Sequence, residues 1–549
     1  MRVKDQQFEV RLLSSLSKVF ADEPLTDEPY NKATALQNEV FSFQLAYFSD
    51  TLIKDIQLNI NSELKDVITL RSVGLVPSQL PYRDRYDEFT LRTTPGLYPD
   101  PLYPMDQKGI MALPGQWRSL WVTVSLNASI KPGVHSIEIE LEHETKKLGA
   151  VTFQLDVIAR ALPEQKLIHT EWFHVDCLAT QYGVEVFSEE HWRLIDTYLQ
   201  NFVQHGMNMI LTPIFTPPLD TKVGGERPTV QLVSVSRTDG EYSFDFSLLE
   251  RWVKLCQSKG IMYFEFSHLF TQWGAEHCPK IMADADGQYQ RIFGWESEST
   301  GEEYRAFLNQ FLPELIRFIQ EHNLEKKSYF HISDEPQSEH LAKFAEVKAM
   351  VEQYLSDFPV IDALSDFEFY EQGVVKQPIP ALDHIGPFIE HHVDPLWTYY
   401  CVAQSQKVSN RFFMMPSLRN RIIGLQFYKF HIQGFLHWGY NFWYSEFSTQ
   451  AVNPFVQTDA LCSFPSGDAF LVYPGEEGPI ESIRMEVFYE ALQDLRALQL
   501  LEQLAGRTSV LQLLDKGLNE SLTVETYPHS MRWLLQLRET INEEIRKYV

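Results

Sequence analysis

The sequence is short of cysteine, of positive charge and of long apolar runs, and each shortage excludes a class of protein. Only five cysteines occur in 549 residues, and no two are spaced as Cys-x-x-Cys. We therefore expect free thiols, with neither a disulfide frame nor a zinc site, and no metal or cofactor. Lys and Arg number 47 against 74 Asp and Glu, a formal net charge of −27, which disfavours nucleic acid and anionic membranes as partners.

Apolar runs are too short for a membrane span, since no window approaches the roughly 20 apolar residues that a span needs. Near the start of the chain, Lys4, Asp5, Glu9 and Arg11 interrupt any apolar leader. These two features predict a soluble, cytoplasmic protein. Its substrates would then be small enough to import.

Residues 1–162 alternate between apolar and polar positions, as strands do. The clearest runs are 35–48, 117–126, 134–141 and 150–158, and the turn Lys131-Pro132-Gly133 is typical of a hairpin connection. An N-terminal antiparallel β-sandwich is therefore predicted. The Pro- and Gly-rich stretch 95–116 is predicted to be a loop, long enough to reach a neighbouring site.

Within residues 163–480, short apolar strands alternate with helix-length amphipathic stretches. Eight strands are predicted, at 168–175, 207–215, 261–269, 328–333, 360–364, 384–389, 396–403 and 435–442. Helices are predicted at 189–204, 246–258, 304–321 and 338–355. Eight strand-then-helix units indicate a (β/α)8 TIM-like barrel. An open doubly wound sheet is the alternative, but no Gly-rich phosphate loop follows the first strand. Residues 481–549 are predicted to be helices that pack on the barrel.

Two adjacent carboxyl groups, Asp334 and Glu335, directly follow the fourth predicted strand. Catalytic side chains of such barrels lie at the carboxyl ends of strands, and a bend there would turn both groups towards one sugar. Asp334 is also a favoured residue for capping the helix that follows. The tripeptide with Pro336 alone therefore leaves a catalytic and a structural interpretation open.

The seventh predicted strand carries no carboxylate. Most retaining glycosidases need two carboxyl groups about 5 Å apart, and the second often ends a late strand. Here Trp397 and Tyr399 occupy that strand instead. This favours a substrate-assisted mechanism, in which the 2-acetamido oxygen of the sugar is the nucleophile. Glu335 would protonate the leaving oxygen, Asp334 would orient the acetamido group, and Tyr399 would bind its oxygen.

Aromatic and polar residues at other strand ends are candidates for substrate binding. Trp438 and Tyr440 fall on one face of the eighth strand by its period of two and could form a floor under a sugar. The remaining candidates are Asn441 on the eighth strand, Trp397 on the seventh, Trp172 and His174 on the first, and His268 on the third. Barrel packing is the competing interpretation for each.

Four segments resemble motifs of glycoside hydrolase family 123, the β-N-acetylgalactosaminidases. They are His331-Ile332-Ser333-Asp334-Glu335-Pro336, Trp397-Thr398-Tyr399-Tyr400-Cys401, Gly434 through Trp443, and Tyr473-Pro474-Gly475 through Asp494. The resemblance spans most of the chain. It implies a sandwich followed by a barrel, a retaining substrate-assisted reaction, Asp334 as the residue that orients the acetamido group and Glu335 as the general acid and base. An oligosaccharide or glycoconjugate would be the substrate.

Two other functions remain open. A conventional two-carboxylate glycosidase would take its nucleophile from Glu390, Glu446 or Asp366. A catalytically inactive relative would bind glycans without cleaving them, since a fold alone never guarantees activity.

Overall fold

The computed structural model describes residues 7–549, which form a mixed α/β fold that begins with a sheet-rich region. The first six residues of the predicted 1–162 domain, with the charges at Lys4 and Asp5, lie outside the described residues. In residues 7–549, every helix is too short or too polar to cross a membrane.

Two five-stranded sheets make up the sheet-rich region. Their strands are β1 (Phe8–Ser14), β2 (Lys32–Gln37), β3 (Val40–Ser49), β4 (Ile53–Asn61), β5 (Ile68–Ser78), β6 (Gly96–Pro104), β7 (Ile110–Ala112), β8 (Gln116–Ser125), β9 (Gly133–His143) and β10 (Lys146–Ala161). The sheets have the orders β1-β3-β8-β5-β6 and β2-β10-β9-β4-β7. One apolar cluster, which includes Leu45 and Val122 of the first sheet and Ile139 and Phe153 of the second, fills the space between them.

Three details of this region differ from the prediction. Asn38 has a left-handed φ of 60°, which turns the chain and divides the run 35–48 into β2 and β3. The stretch 95–116 is not a loop but contains β6 and β7. Its prolines are tolerated because β6 lies at the edge of its sheet and pairs with β5 alone. Pairing is not antiparallel throughout, since β2 and β10 run parallel.

The later part of the chain alternates strands and helices. Its strands are β11 (Ile168–Glu171), β12 (Met209–Thr212), β13 (Ser234–Thr238), β14 (Glu241–Asp245), β15 (Tyr263–Phe266), β16 (Ile281–Ala285), β17 (Gln288–Phe293), β18 (Ser328–Phe330), β19 (Ile361–Ala363), β20 (Gln377–Ile379), β21 (Leu396–Tyr399), β22 (Ile432–His437), β23 (Tyr473–Pro474) and β24 (Pro479–Ile480). Its helices are α1 (Val175–Tyr182), α2 (Glu189–Gln204), α3 (Ser247–Lys259), α4 (Glu302–Glu321), α5 (Leu341–Leu355), α6 (Glu368–Glu371), α7 (Gly386–Glu390), α8 (Ser417–Arg421), α9 (Ile423–Lys429), α10 (Ile483–Ala505), α11 (Arg507–Leu514) and α12 (Met531–Arg546).

Six of these strands form one parallel sheet in the order β18-β15-β12-β11-β22-β21. Strands β19 and β20 form a second parallel pair. Single parallel bridges join Phe330 to Val360 and Ala381 to Tyr399, so β19 and β20 lie between the two edge strands of the larger sheet. All eight strands therefore end on the same side.

Seven of the eight predicted strands are confirmed, six of them within shorter bounds and the eighth shifted to begin three residues earlier, and the sixth is wrong. Residues 384–389 form a helical turn and α7, while the strand at this place is β20. The apolar residues Ile385, Phe388 and Ile389 recur at helical spacing, and Pro387 fits the first turn of a helix. Helix α2 has the predicted bounds, because the Ser188 side chain caps it by accepting from the His191 N–H.

Helix α10 lies between the sheet-rich region and the parallel strands. Glu486 pairs with Arg71 at 2.7 Å, and Gln493 exchanges two hydrogen bonds with the backbone of Val40. On its other side α10 packs against α8 and α9. The C-terminal helices thus connect both regions, in addition to the predicted support of the barrel.

Gly434 on β22 provides a test of the packing inside the parallel strands. A Cβ atom here would lie 2.0 Å from the Trp397 ring, so the buried indole would have to shift from its packed position. We expect Gly434→Ala to destabilise the protein by about 1–3 kcal/mol, as overpacked cores do, and to lower the urea midpoint. Gly386→Ala is the control, since its Cβ would meet nothing within 4 Å. Equal midpoints for the two variants would contradict this packing.

Candidate active site

The segment that carries Asp334 continues the pairing of β18 with β15 beyond the ends of both strands. The N–H groups of Phe270 and Trp273 donate to the carbonyl oxygens of Ile332 and Asp334 at 3.0 and 2.9 Å. The chain then bends at Glu335, which has a φ of 44°. A non-glycine residue in this left-handed region is strained, and such strain concentrates at functional sites. The bend turns both adjacent side chains into the site, as the sequence predicted.

Glu335 is held by a tyrosine. The Tyr399 hydroxyl, at the end of β21, donates to Glu335 Oε1 at 2.9 Å. Burial raises the pKa of Glu335; the bond from Tyr399 opposes that rise, and the charge of Asp468 adds to it. Burial and the neighbouring Glu335 carboxyl raise the pKa of Asp334 well above its usual range. The pair therefore retains protons at a pH where exposed carboxyl groups have lost them.

Beneath Asp334, one imidazole lies between two acids. His331 Nε2 is 2.6 Å from Glu265 Oε1, and His331 Nδ1 is 3.5 Å from Asp362 Oδ1. Burial opposes protonation of this ring, but the two carboxyl groups outweigh it and raise the pKa of His331 to about 9. Burial raises the pKa of Asp362 to about 6. At neutral pH His331 is an imidazolium whose charge partly offsets the acids around Asp334.

Trp172 and His268 complete this layer. The Trp172 ring nitrogen donates to Glu265 Oε1 at 2.7 Å, and its ring meets both histidines edge-on. His268 stacks on His331 with ring centroids 4.2 Å apart, and neither of its buried nitrogens has a hydrogen-bond partner. Burial and the adjacent imidazolium hold the pKa of His268 well below its usual range. Both predicted residues therefore contact His331, in the layer beneath Asp334.

His174 and Asn441 hold the loops around the site. Both amide atoms of Asn441 bond the backbone of His174, and His174 Nε2 donates to the Trp438 carbonyl at 2.8 Å. The proton is on Nε2 because Arg227 donates to Nδ1 at 3.1 Å. These contacts fix the backbone of Trp438, whose ring is half-buried and belongs to the same interior cluster as Trp172 and Tyr399.

Two predicted residues are not brought to the site. Tyr440 is fully buried, and its hydroxyl donates to Asn201 Oδ1 of α2 at 2.9 Å, so it packs outside the strands and away from Trp438. The predicted alternation fails because β22 ends at His437. Trp397 points inward like Tyr399 but lies two residues nearer the start of β21, where it borders a cavity at the opposite end of the strands.

Two acids that the sequence analysis did not select lie near the pair. Asp220 follows β12, and its charge raises the pKa of Asp334; burial raises the pKa of Asp220 itself to about 7. Its place after a strand was a signal that could have identified it. Asp468 is fully buried, and neither of its carboxyl oxygens has a hydrogen-bond partner. It lies in a loop far beyond β22, where no strand-end pattern marks it.

Asp468 lies opposite His437, whose hydrogen bonds determine which ring nitrogen carries the proton. Arg411 and the Gly439 N–H both donate to His437 Nδ1, at 2.7 and 3.0 Å. The proton of His437 is therefore on Nε2, which lies 3.7 Å from Asp468 Oδ1. Within residues 7–549, no three His, Cys, Asp or Glu side chains are arranged to hold a metal ion.

In a comparison with known protein families, residues 172–501 of this chain match the model of the glycoside hydrolase 123 catalytic domain. Among solved structures, a family 123 glycoside hydrolase from Clostridium perfringens aligns with 99% of this chain and 99% of its own, at 15% identity and a TM-score of 0.76. A Bacteroides ovatus family 5 xyloglucanase aligns with 87% of this chain and all of its own, at 7% identity and a TM-score of 0.30, too low to carry an argument. Curated protein sequences gave no match.

The raised pKa of His331 predicts a pH dependence of stability. Its stabilisation is fully present below the ordinary histidine value of 6.5 and is lost as the pH rises through about 9. Replacement by glutamine abolishes this titration. We therefore expect the difference in thermal midpoint between the wild type and His331→Gln to shrink between pH 6.5 and 9.5. A constant difference over this range would show that His331 is not an imidazolium.

Proposed function

This chain belongs to glycoside hydrolase family 123, and we propose that it releases a terminal β-linked N-acetylhexosamine, N-acetylgalactosamine above all. The proposed reaction retains configuration, and the acetamido group of the substrate is its nucleophile. The observation that carries the proposal is the half-buried pair Asp334-Glu335, in which Glu335 is bonded by Tyr399 rather than by a second catalytic carboxylate.

Glu335 is the general acid and base of this proposal. Burial raises the pKa of Glu335, which favours the protonated form that an acid needs in order to protonate a leaving glycosidic oxygen. The hydroxyl of Tyr399 fixes the orientation of the carboxyl. After the leaving group departs with that proton, the ionised Glu335 removes a proton from the water that opens the oxazolinium intermediate on the bound sugar.

Asp334 orients the acetamido group. An ionised Asp334 accepts the N–H of that group and stabilises the positive charge that develops on it. In the free enzyme, burial and Glu335 favour the protonated form. The cationic transition state reverses that preference, since an opposite charge nearby lowers a carboxyl pKa. The interaction is thus strongest in the transition state, as catalysis requires.

Compared with the Asp334-Glu335 pair, the acids considered as nucleophiles for a conventional double displacement are poorly placed for catalysis. Glu390 is exposed at the end of α7. Asp366 is bonded to the Ser338 hydroxyl and caps the Glu368 N–H. Glu446 lies 3.8 Å from Arg83 in a half-exposed loop. Their environments support the substrate-assisted reaction over this alternative and, because Glu335 is so constrained, over an inactive glycan-binding protein.

We further infer that the eight parallel strands close into one (β/α)8 barrel, with domains at 1–162, 163–480 and 481–549. The bridges at Phe330 and Tyr399 support closure. The solved family 123 enzyme was described for glycolipid glycan hydrolysis, so a glycan of that kind is a reasonable substrate here. Five free cysteines support a reducing, cytoplasmic compartment.

Three aryl glycosides test the requirement for the acetamido group. We expect hydrolysis of nitrophenyl N-acetyl-β-galactosaminide, slower hydrolysis of the glucosaminide, and none of the plain β-galactoside, which lacks the nucleophile. A thiazoline analogue of the bicyclic intermediate should inhibit competitively. Hydrolysis of the galactoside alone would exclude the substrate-assisted reaction.

Chemical rescue tests whether Asp334 orients the substrate or is itself a covalent nucleophile. Asp334→Ala should lower kcat on the galactosaminide by about 100-fold or more, the order for losing a group that stabilises a transition-state charge. Azide should not restore the rate, because no enzyme nucleophile has been removed. A glycosyl azide of inverted configuration would instead identify Asp334 as a covalent nucleophile.

A further inference from the structure

Two aromatic side chains are exposed at the rim of the proposed site. Trp273 and Phe447 keep 40% and 38% of their surface exposed, and their rings meet edge-to-face with centroids 5.7 Å apart. They come from the loops that follow β15 and β22. Large apolar rings are normally withdrawn from water, so an exposed contacting pair beside a site points to a ligand.

Both aromatic residues have a strained backbone. Each has a φ of 57°, and their neighbours Ala275 and Ser448 are also left-handed, at 58° and 53°. None of these is glycine, so the conformation is costly and must be imposed by surrounding contacts. More than a third of the surface of each ring nevertheless remains exposed, so packing alone does not account for the strain. It does hold two rings outward at the rim.

Asp220 connects the loops that carry these rings. Its carboxylate accepts from the Phe447 N–H at 3.0 Å, and its own N–H donates to the side chain of Gln272, the neighbour of Trp273, at 2.6 Å. The Trp273 N–H in turn donates to the Asp334 carbonyl at 2.9 Å. The ring pair is therefore tied through the backbone to the catalytic segment.

We propose that Trp273 and Phe447 form the subsite for the first sugar of the leaving group, a hexopyranose. The inference rests on the proposed function. An enzyme that removes a terminal sugar places that sugar deepest, against Glu335 and Tyr399, and the departing part lies towards the solvent. Exposed rings at the rim match the apolar C–H face of a pyranose. Nearby acids, Asp220 and Glu446, accept hydrogen bonds from its hydroxyls.

The test compares two substrates of one enzyme. N-acetyl-β-galactosaminyl fluoride has no leaving sugar, whereas a disaccharide of N-acetylgalactosamine β-linked to galactose, in the linkage that the wild type cleaves fastest, fills the subsite. We expect Trp273→Ala to lower kcat/KM on the disaccharide about tenfold more than on the fluoride, the order of a lost stacking contact. Trp273→Phe should restore most of the difference.

Two further variants distinguish the loss of a sugar contact from a general effect of the substitution on folding. Phe447→Ala should shift the ratio of the two rates in the same direction. Tyr289→Ala, which removes a 69% exposed ring from β17, should leave the ratio unchanged at the same thermal midpoint. If Trp273→Ala lowers both rates equally or changes neither, the subsite is overturned and the proposed function stands. If the wild type cleaves neither substrate, the proposed function fails and the subsite fails with it.

Discussion

Burial of several carboxyl groups at one end of the parallel strands is the constraint on which the site depends. Like charges so close cannot all ionise in a poorly solvated place, so protons must be retained or balanced. His331 supplies the balancing charge between Glu265 and Asp362. Its charge opposes the rise in the pKa of Asp334 without cancelling it, and the pKa of Glu335 is raised as well. Both raised pKa values favour the protonated forms of these carboxyl groups.

Buried arginines make that arrangement rigid. Arg411 holds Glu171 through two bonds of 2.8 and 3.0 Å and fixes the tautomer of His437. Arg227 holds Asp176 in the same way and bonds the carbonyl of the residue before Asp220. Buried ion pairs add little net stability. Their bidentate geometry positions the loops that follow the first, second and eighth strands, where the site lies.

The sequence sufficed for much of the fold and for the core of the site, because both follow from local rules. Strand-end placement correctly predicted that Tyr399 lies against Glu335, and it brought Trp172 and His268 together around His331. The same rule failed for Tyr440, since alternation applies only while the strand continues. Asp468 could not be predicted from the sequence, because its position near Glu335 depends on a long loop that folds back towards the site. The two strands within residues 95–116 were not predicted because the segment is rich in proline. Prolines are tolerated at a sheet edge, but only the tertiary structure reveals that this segment lies at an edge.

The proposed reaction depends on the acetamido oxygen of the substrate acting as the nucleophile. Replacing the acetyl methyl hydrogens of nitrophenyl N-acetyl-β-galactosaminide by one, two or three fluorines makes that oxygen a weaker nucleophile and leaves the leaving group unchanged. We expect kcat/KM of the wild-type enzyme to fall steeply with each added fluorine. A kcat/KM that is independent of the number of fluorines would show that the acetamido oxygen is not the nucleophile.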